Sequence, residues 1–263
     1  MSYATAERAT QYETRSREER PMVYGPVQSR RLGFSLGVDL LPADEKTCNF
    51  DCLYCESGWT PWMKARRTWF PSLDDLERAL TRGLPVAAYR HPSIDAVTLS
   101  GHGEPTLFPE FSAAVGLVRE LSKKYLPWAR IALLTNGTML GGKAVFDAVC
   151  QIDVKCVKLD AGNAWMNRPR QGVDLAALVP VWARIPNLTI QSFFSEGRFD
   201  NTRKEWIDPW VEQVKRVNPR NVQIYTLDRR PAAATMQKAS LSTLNRIARR
   251  LASEVGAEIR VFE

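Results

Sequence analysis

The chain has 263 residues, 44% of them hydrophobic, and carries a formal net charge of +7 at pH 7. This length and apolar content predict a single domain with a substantial core, and no stretch approaches the roughly 18 consecutive apolar residues of a membrane span. The first residues also lack the apolar segment of a secretory signal, so we expect a cytoplasmic protein with no membrane partner. The positive charge favours an acidic partner only weakly, because basic pairs alternate with acidic residues.

In chain order, the first element is a polar, charged stretch over residues 1–22, which predicts a flexible N-terminal arm before a domain over 23–263. Short apolar or β-branched runs then alternate with longer segments of helical pattern. The runs lie at 35–41, 94–100, 130–136, 153–160, 187–194 and 221–227, with a further candidate strand at 257–263. Each run is short enough to be a buried strand.

Three of the segments between these runs have apolar residues three and four positions apart, as one buried helix face requires. They begin after Ser72, at Phe111 and at Trp206. Strand followed by helix, repeated six times, predicts an α/β fold with right-handed crossovers. We therefore expect a partial (β/α)6 barrel with parallel strands in a single domain, with functional residues at the carboxyl ends of the strands.

Three of the five cysteines, Cys48, Cys52 and Cys55, are spaced C-x3-C-x2-C directly after the first predicted strand. In a reducing compartment such a cluster indicates metal binding or redox chemistry rather than disulfides. A structural zinc site needs four protein ligands, whereas three thiolates can hold a 4Fe-4S cluster with one iron open to an external ligand. A zinc site with His102 as fourth ligand is the alternative.

Sequence similarity points the same way. The segment CNFDCLYC, residues 48–55, resembles the signature of the radical S-adenosylmethionine (SAM) enzymes, and GHGEPT, residues 101–106, resembles their Gly-Gly-Glu-Pro element. TNG at 135–137 follows the third predicted strand, as it often does in that family. YGPVQSRRLGFSLGVDLLP (24–42) and VQIYTLDRRP (222–231) are similar to a subgroup of iron-sulfur oxidoreductases that includes the wyosine-forming tRNA enzymes. The resemblance covers about residues 23 to 250.

The resemblance implies a radical SAM core in which Cys48, Cys52 and Cys55 hold a 4Fe-4S cluster and SAM binds the open iron. It implies that Tyr54 packs near the adenine and that Glu104, with the backbone of Gly103, receives the methionine ammonium. His102 stands where the family usually has glycine. The other implied cofactor-binding residues are Pro105 and four residues that end or line strands and could contact the ribose or carboxylate: Asn136, Lys158, Asp160 and Gln191.

On this resemblance the protein is expected to cleave SAM reductively and to generate a carbon radical that modifies a small-molecule or nucleotide substrate. A radical SAM enzyme that modifies tRNA or another RNA is one alternative, and a non-catalytic iron-sulfur electron carrier or zinc-binding module is another. The wyosine-forming enzymes use a second cysteine triad, and this chain has no cysteine before Cys48. A reductant such as flavodoxin or ferredoxin is an expected partner.

The remaining cysteines and several tryptophans have less specific interpretations. Cys150 and Cys156 are only two cysteines and do not complete a further cluster. We expect them to pack in the core. Four tryptophans lie around the cysteine segment and after the fourth predicted strand, where core packing is favoured over stacking on a planar substrate. They are Trp59, Trp62, Trp69 and Trp165.

Overall fold

The computed structural model describes residues 21–61, 69–160, 162 and 173–263. The arm predicted over 1–22, except for its last two residues, lies outside the described residues, as do Trp62 and Trp165. The described strands are β1 (Val23–Ser29), β2 (Gly33–Val38), β3 (Ala96–Leu99), β4 (Arg130–Thr135), β5 (Val154–Lys158), β6 (Thr189–Phe193), β7 (Ser195–Gly197), β8 (Asn221–Tyr225), β9 (Met236–Lys238) and β10 (Glu258–Phe262). The described helices are α1 (Leu73–Arg90), α2 (Phe111–Tyr125), α3 (Lys143–Cys150), α4 (Leu175–Trp182), α5 (Lys204–Val217) and α6 (Leu241–Ala252).

Eight of these strands form one sheet in the order β1-β2-β3-β4-β5-β6-β8-β10. Every neighbouring pair from β2 to β10 is parallel, and a helix precedes each new parallel strand. The sheet is open, with β1 and β10 at its two edges. This confirms the predicted α/β partial barrel of six strand-helix units in a single domain, and β10 is the predicted terminal strand.

The antiparallel strand β1 is absent from the predicted elements. It pairs with β2 through a tight turn, and its register shifts between Tyr24 and Val27, where Gly25 and Pro26 interrupt the pairing. Proline is tolerated in a sheet only at an edge or a bulge, and β1 offers both. A second sheet, formed by the short antiparallel strands β7 and β9, is also absent from the predictions.

The helices that the apolar pattern predicts form where expected. Helix α1 starts at an N-cap, Ser72, whose hydroxyl accepts a hydrogen bond from Asp75 N, while the Asp75 side chain accepts one from Ser72 N. This reciprocal capping satisfies two backbone donors that no helical turn can reach. The buried face of α1 carries Leu76, Leu80 and Leu84.

The parallel strands have two different faces. The outer face is apolar and packs under the helices, with Val38, Leu99, Leu133, Val157, Ile190 and Ile224 in the main core. The inner face lines a cavity of about 400 Å³, here called the inner cavity. Its strand-borne lining includes Ser35, Gly37, Thr98, Leu134, Lys158, Phe193 and Tyr225. Because side chains alternate between the faces of a strand, one sequence builds both a dry core and a polar interior.

Among the described helices, none is both long enough and apolar enough to cross a bilayer.

Candidate cofactor site

The cysteine segment follows β2 and is docked by backbone hydrogen bonds on the GHGEPT segment that follows β3. Thr47 N donates to His102 O at 2.8 Å, and Glu104 N donates to Thr47 O at 3.0 Å. Gly103 has a φ of +152°, and a Cβ atom there would lie 1.7 Å from Thr47 O. Only glycine fits such an approach. The two motifs that carry the sequence resemblance therefore form one structural unit.

His102 takes part in this unit without backbone strain. The described non-glycine residues with positive φ are Asn187 and Asn218, so the demanding conformation falls on Gly103 and not on His102. His102 Nδ1 lies 3.0 Å from Asp39 Oδ2, and His102 N donates to the same oxygen at 2.9 Å. The residue therefore ties the GHGEPT segment to the chain just after β2.

The three cysteines form no disulfide in the structure and are partly exposed. Desolvation raises the pKa of the Cys48 thiol, and the nearby Glu104 raises it further. Within the described part of the chain, no group of three His, Cys, Asp or Glu side chains is arranged to hold a metal ion. A zinc ion would draw its thiolates to about 2.3 Å from one point, whereas in a cluster the three thiolates bind three separate irons. The zinc alternative with His102 therefore stays a prediction.

Lys46, which the sequence analysis missed, is a buried cation beside the three thiols. It is 6% exposed, and its Nζ donates to Gly58 O at 2.8 Å and lies 3.6 Å from Asp51 Oδ1. Burial lowers the pKa of Lys46, but the three cysteines and Asp51 outweigh that effect, and the net pKa is raised. A loop with three thiols and one buried ammonium fits a cluster held by three thiolates. The position of Lys46, two residues before Cys48, is the sequence signal that could have identified this residue.

Glu104 lies at the base of this unit. It is 2% exposed, and burial raises its pKa against the opposing effect of its hydrogen bonds. Oε1 accepts from Thr106 N at 3.1 Å and from the hydroxyls of Thr106 and Thr135 at 2.5 Å each, while Oε2 accepts from Asn136 N at 2.7 Å. The carboxylate thus joins the ends of β3 and β4. Its contact with a methionine ammonium stays a prediction.

Pro105 and Asn136 complete the same edge. Pro105 is buried and opens a short 3-10 turn, Pro105–Leu107, that Glu104 caps. Asn136 Nδ2 donates to Asn49 Oδ1 at 2.7 Å, and Asn49 Nδ2 in turn donates to Thr138 Oγ1 at 2.7 Å. Asn49 lies between Cys48 and Cys52, so this paired contact fixes the cysteine loop against the end of β4.

Tyr54 and Asp160 join the loop to the other side of the sheet. The Tyr54 hydroxyl donates to Asp160 Oδ2, and Asp160 Oδ1 accepts from Phe193 N at 2.7 Å. The Tyr54 ring stacks on Phe193 with centroids 4.2 Å apart. Burial, then the charge of Asp160, raises the pKa of Tyr54. Tyr54 and Asp160, each predicted separately to bind the cofactor, are thus hydrogen-bonded to each other.

Lys158 and Gln191 differ in their access to the site. Lys158 lines the inner cavity, with Nζ 4.2 Å from the centroid of the Tyr225 ring and 5.0 Å from that of Tyr54. Burial lowers the pKa of Lys158 to about 8, although Asp160 acts in the opposite direction. Gln191 is 1% exposed, donates to Gln223 Oε1 at 2.7 Å, and is not among the described residues that line the cavity. The predicted residues thus lie at or near the carboxyl ends of neighbouring strands, with Gln191 paired in register with Lys158, and their contacts with a cofactor stay predictions.

The expectations for the other cysteines and the tryptophans are met in part. Cys156 is fully buried, as expected, but Cys150 is only partly buried at the end of α3. Trp59 and Trp69 are 43% and 58% exposed, so the expectation of core packing is wrong for both. Both flank the 62–68 segment rather than entering the hydrophobic core.

No protein-family model matches the chain. The chain is 28% identical to the GTPase Obg of Brachyspira hyodysenteriae over 227 residues, which are 84% of this chain and 32% of that protein. It is 34% identical to a UPF0026 protein of Synechocystis over 165 residues, which are 60% of this chain and 57% of that protein. A UPF0026 protein of Methanocaldococcus jannaschii is 26% identical over 86% of this chain and 70% of its own length. The aligned residues thus cover about a third of the first of these relatives and just over half of the second.

Several solved structures share the fold. A radical SAM methyltransferase from Sphaerobacter thermophilus superposes with a TM-score of 0.65 at 16% identity, over 87% of this chain and 65% of that one. SuiB of Streptococcus suis, bound to S-adenosylmethionine, gives 0.58 at 13% identity over 86% and 50%. A TYW1 structure gives 0.58 at 14% identity over 85% and 74%. The chain therefore has the fold of the radical SAM enzymes, and TYW1 is no closer to it than SuiB is.

Proposed function

We propose that this chain, which has the fold of the radical SAM enzymes, holds a 4Fe-4S cluster on Cys48, Cys52 and Cys55 and uses it to cleave SAM. The observation that carries the proposal is the backbone docking of Thr47 on Gly103, which fixes the cysteine loop and the GHGEPT segment as one unit at the carboxyl ends of β2 and β3. Tyr54 and Cys55 line the inner cavity. The loop that would hold the cluster therefore faces the space in which a substrate would bind.

When bound, the cluster and SAM would supply one electron and a carbon radical, normally 5'-deoxyadenosyl, that abstracts hydrogen from the substrate. The chain's own residues provide position and enclosure. Asn136 holds the loop through Asn49, and Asp160 holds it through Tyr54. The inner face of the sheet and the β1–β2 turn line the inner cavity and would limit the access of water to a reactive intermediate.

The position of the subgroup-specific segments supports a small substrate. Residues 24–42 and 222–231, which resemble the subgroup of the wyosine-forming enzymes, both line the inner cavity, through Arg31 and Tyr225 among others. A volume of about 400 Å³ lies at the lower end of the range for ligand pockets. We infer that these segments bind a small-molecule or nucleotide substrate, and that a flavodoxin or ferredoxin delivers the electron.

The test is SAM cleavage by the anaerobically reconstituted and reduced protein. We expect methionine and 5'-deoxyadenosine even without substrate, and neither product from a variant in which Cys48, Cys52 and Cys55 are all alanine. Methylthioadenosine instead would place the cleavage at a different carbon-sulfur bond. A reduced, cluster-loaded sample that releases no SAM-derived product would contradict the proposal and would favour an electron carrier.

A further inference from the structure

The inner cavity contains two cations that share one aromatic ring. Arg31, in the turn between β1 and β2, places Cζ 4.4 Å from the centroid of the Tyr225 ring, and Lys158 places Nζ 4.2 Å from the same centroid. Both side chains line the cavity. Burial lowers the pKa of each, and Arg31 lowers that of Lys158 further. Two like charges are thus held close together in a partly desolvated site.

Nearby carboxylates offset the charge of this pair only in part: Asp160 acts against the lowering of the pKa of Lys158, and Glu56 and Asp228 against that of Arg31, yet the pKa of each cation is still lowered. Within the described residues, Arg31 Nη1 is buried and has no hydrogen-bond partner, and Lys158 Nζ makes no hydrogen bond or ion pair. Each of these three carboxylates also has a closer partner than the cation pair. Asp160 accepts from Tyr54 and Phe193 N, Asp228 pairs with Arg30 at 3.5 Å, and Glu56 pairs with Arg229 at 3.2 Å.

A contact with an aromatic face stabilises a buried cation only partly, and a guanidinium whose donor is left without an acceptor is costly to bury. Such a pair is stabilised by a ligand with negative charge and several acceptor oxygens. The planar fork of arginine matches the geometry of a carboxylate or phosphate, and a lysine ammonium adds a point charge.

The cation pair borders the cysteine loop on one side only, where Lys158 Nζ lies 5.0 Å from the centroid of the Tyr54 ring. Cys48, Glu104 and Asn136 belong to the segments that follow β2, β3 and β4, whereas Lys158 and Tyr225 end β5 and β8, further along the sheet. Arg31 comes from the β1–β2 turn, which lies at the opposite end of β2 from the cysteine loop. Both segments singled out by the subgroup resemblance meet here, because Arg31 belongs to the first and Tyr225 to the second.

We propose that Arg31 and Lys158 bind an oxyanion of the substrate, a phosphate or a carboxylate, and so orient a small anionic molecule in the inner cavity. This inference rests on the proposed function, since it assigns the substrate of the same site. It assigns Lys158 to the substrate rather than to SAM.

The experiment measures binding of inorganic phosphate and of acetate to the cluster-loaded protein by anaerobic calorimetry. We expect the Arg31→Gln and Lys158→Gln variants each to bind the preferred anion at least tenfold more weakly. Arg78→Gln and Lys143→Gln make the same charge changes on exposed positions of α1 and α3 and should bind as the unmodified protein does. The anion that binds more tightly identifies the substrate group as phosphate or carboxylate.

Adding SAM separates the two possible roles of the pair. Anion binding that persists or strengthens with SAM supports a substrate site, whereas competition by SAM would show that the pair binds the SAM carboxylate and would overturn the proposal. Failure of the unmodified protein to bind either anion would also overturn it. If Arg31→Gln does not fold, Arg31→Lys, which keeps the charge but not the fork, should show an intermediate loss. SAM cleavage measured on the same samples reports on the proposed function independently.

Discussion

The carbonyl oxygen of Thr47 occupies the position that a side chain on Gly103 would need, 1.7 Å from the Cβ that alanine would add. We therefore expect Gly103→Ala to push the cysteine loop off the GHGEPT segment, to lower the free energy of unfolding by about 1 to 3 kcal/mol, and to reduce iron loading. Urea unfolding and iron analysis check this. Gly116→Ala in α2 is the control, because its Cβ meets no heavy atom within 4 Å and should be neutral or stabilising.

Each of Cys48, Cys52 and Cys55 should be necessary for the cluster. The reconstituted protein should contain about four irons and four sulfides, and alanine at any of the three positions should abolish the cluster absorption. Cys150→Ala and Cys156→Ala should load iron normally, although Cys156→Ala should cost stability because the residue is fully buried. Iron loss in a control variant that remains folded would show that the replaced cysteine serves the cluster.

Removing the Glu104 carboxylate should affect both stability and SAM cleavage. Glu104→Ala would leave four buried donors without their acceptor, two on Thr106 and one each on Thr135 and Asn136. We expect the free energy of unfolding to fall by about 2 to 4 kcal/mol and SAM cleavage to fall at least tenfold. Glu120→Ala, on the exposed face of α2, is the matched control. Unchanged unfolding with reduced cleavage would indicate that Glu104 acts on SAM alone.

Lys158 should make the protein less stable at neutral pH than it would be without this charge. Its folded-state pKa is about 8 and its ordinary value 10.5, so the fold disfavours the protonated form. The cost is fully present below pH 8 and disappears as the pH rises towards 10.5. Lys158→Met should therefore raise the free energy of unfolding at pH 7, by up to about 3 kcal/mol.

Urea unfolding at about pH 7 and about pH 9.5 tests this, because the advantage of Lys158→Met should shrink at the higher pH. Comparing the variant with the unmodified protein at each pH cancels the titration of other groups. Lys143→Met, at a position whose side chain is 89% exposed, should show no such dependence. If the two proteins differ in free energy of unfolding by the same amount at both pH values, Lys158 affects stability through its packing and not through its charge.

The parallel part of the fold was predictable because its strands are apolar runs separated by amphipathic helices, and both patterns arise from burial against the same core. Strand β1 was not, because Gly25-Pro26 argues against a strand unless an edge position and a bulge are known. The exposure of Trp59 and Trp69 could not be predicted from the sequence either, since a large aromatic residue is more often buried than not.

The residues of the site were predictable where they belong to a compact motif and not where tertiary contacts define their role. The pairing of Tyr54 with Asp160 joins positions 106 residues apart, and nothing local in the sequence links them. Arg31 resembles any surface arginine until the β1–β2 turn places it over Tyr225. The hydrogen bond from Gln191 to Gln223 likewise joins two separate strands, and the predicted cofactor contact of Gln191 stays a prediction.

The buried ammonium of Lys46 has a consequence for electron transfer. If the cysteine loop holds the proposed cluster, an arriving electron would meet the positive charge of Lys46, which water screens little at 6% exposure and which Asp51, 3.6 Å away, offsets in part. Net charge and hydrogen bonding around an iron-sulfur cluster are among the factors that set its reduction potential. Lys46 should therefore make reduction of such a cluster easier, so that a residue two positions before Cys48 would decide in part how strong a reductant the cluster requires.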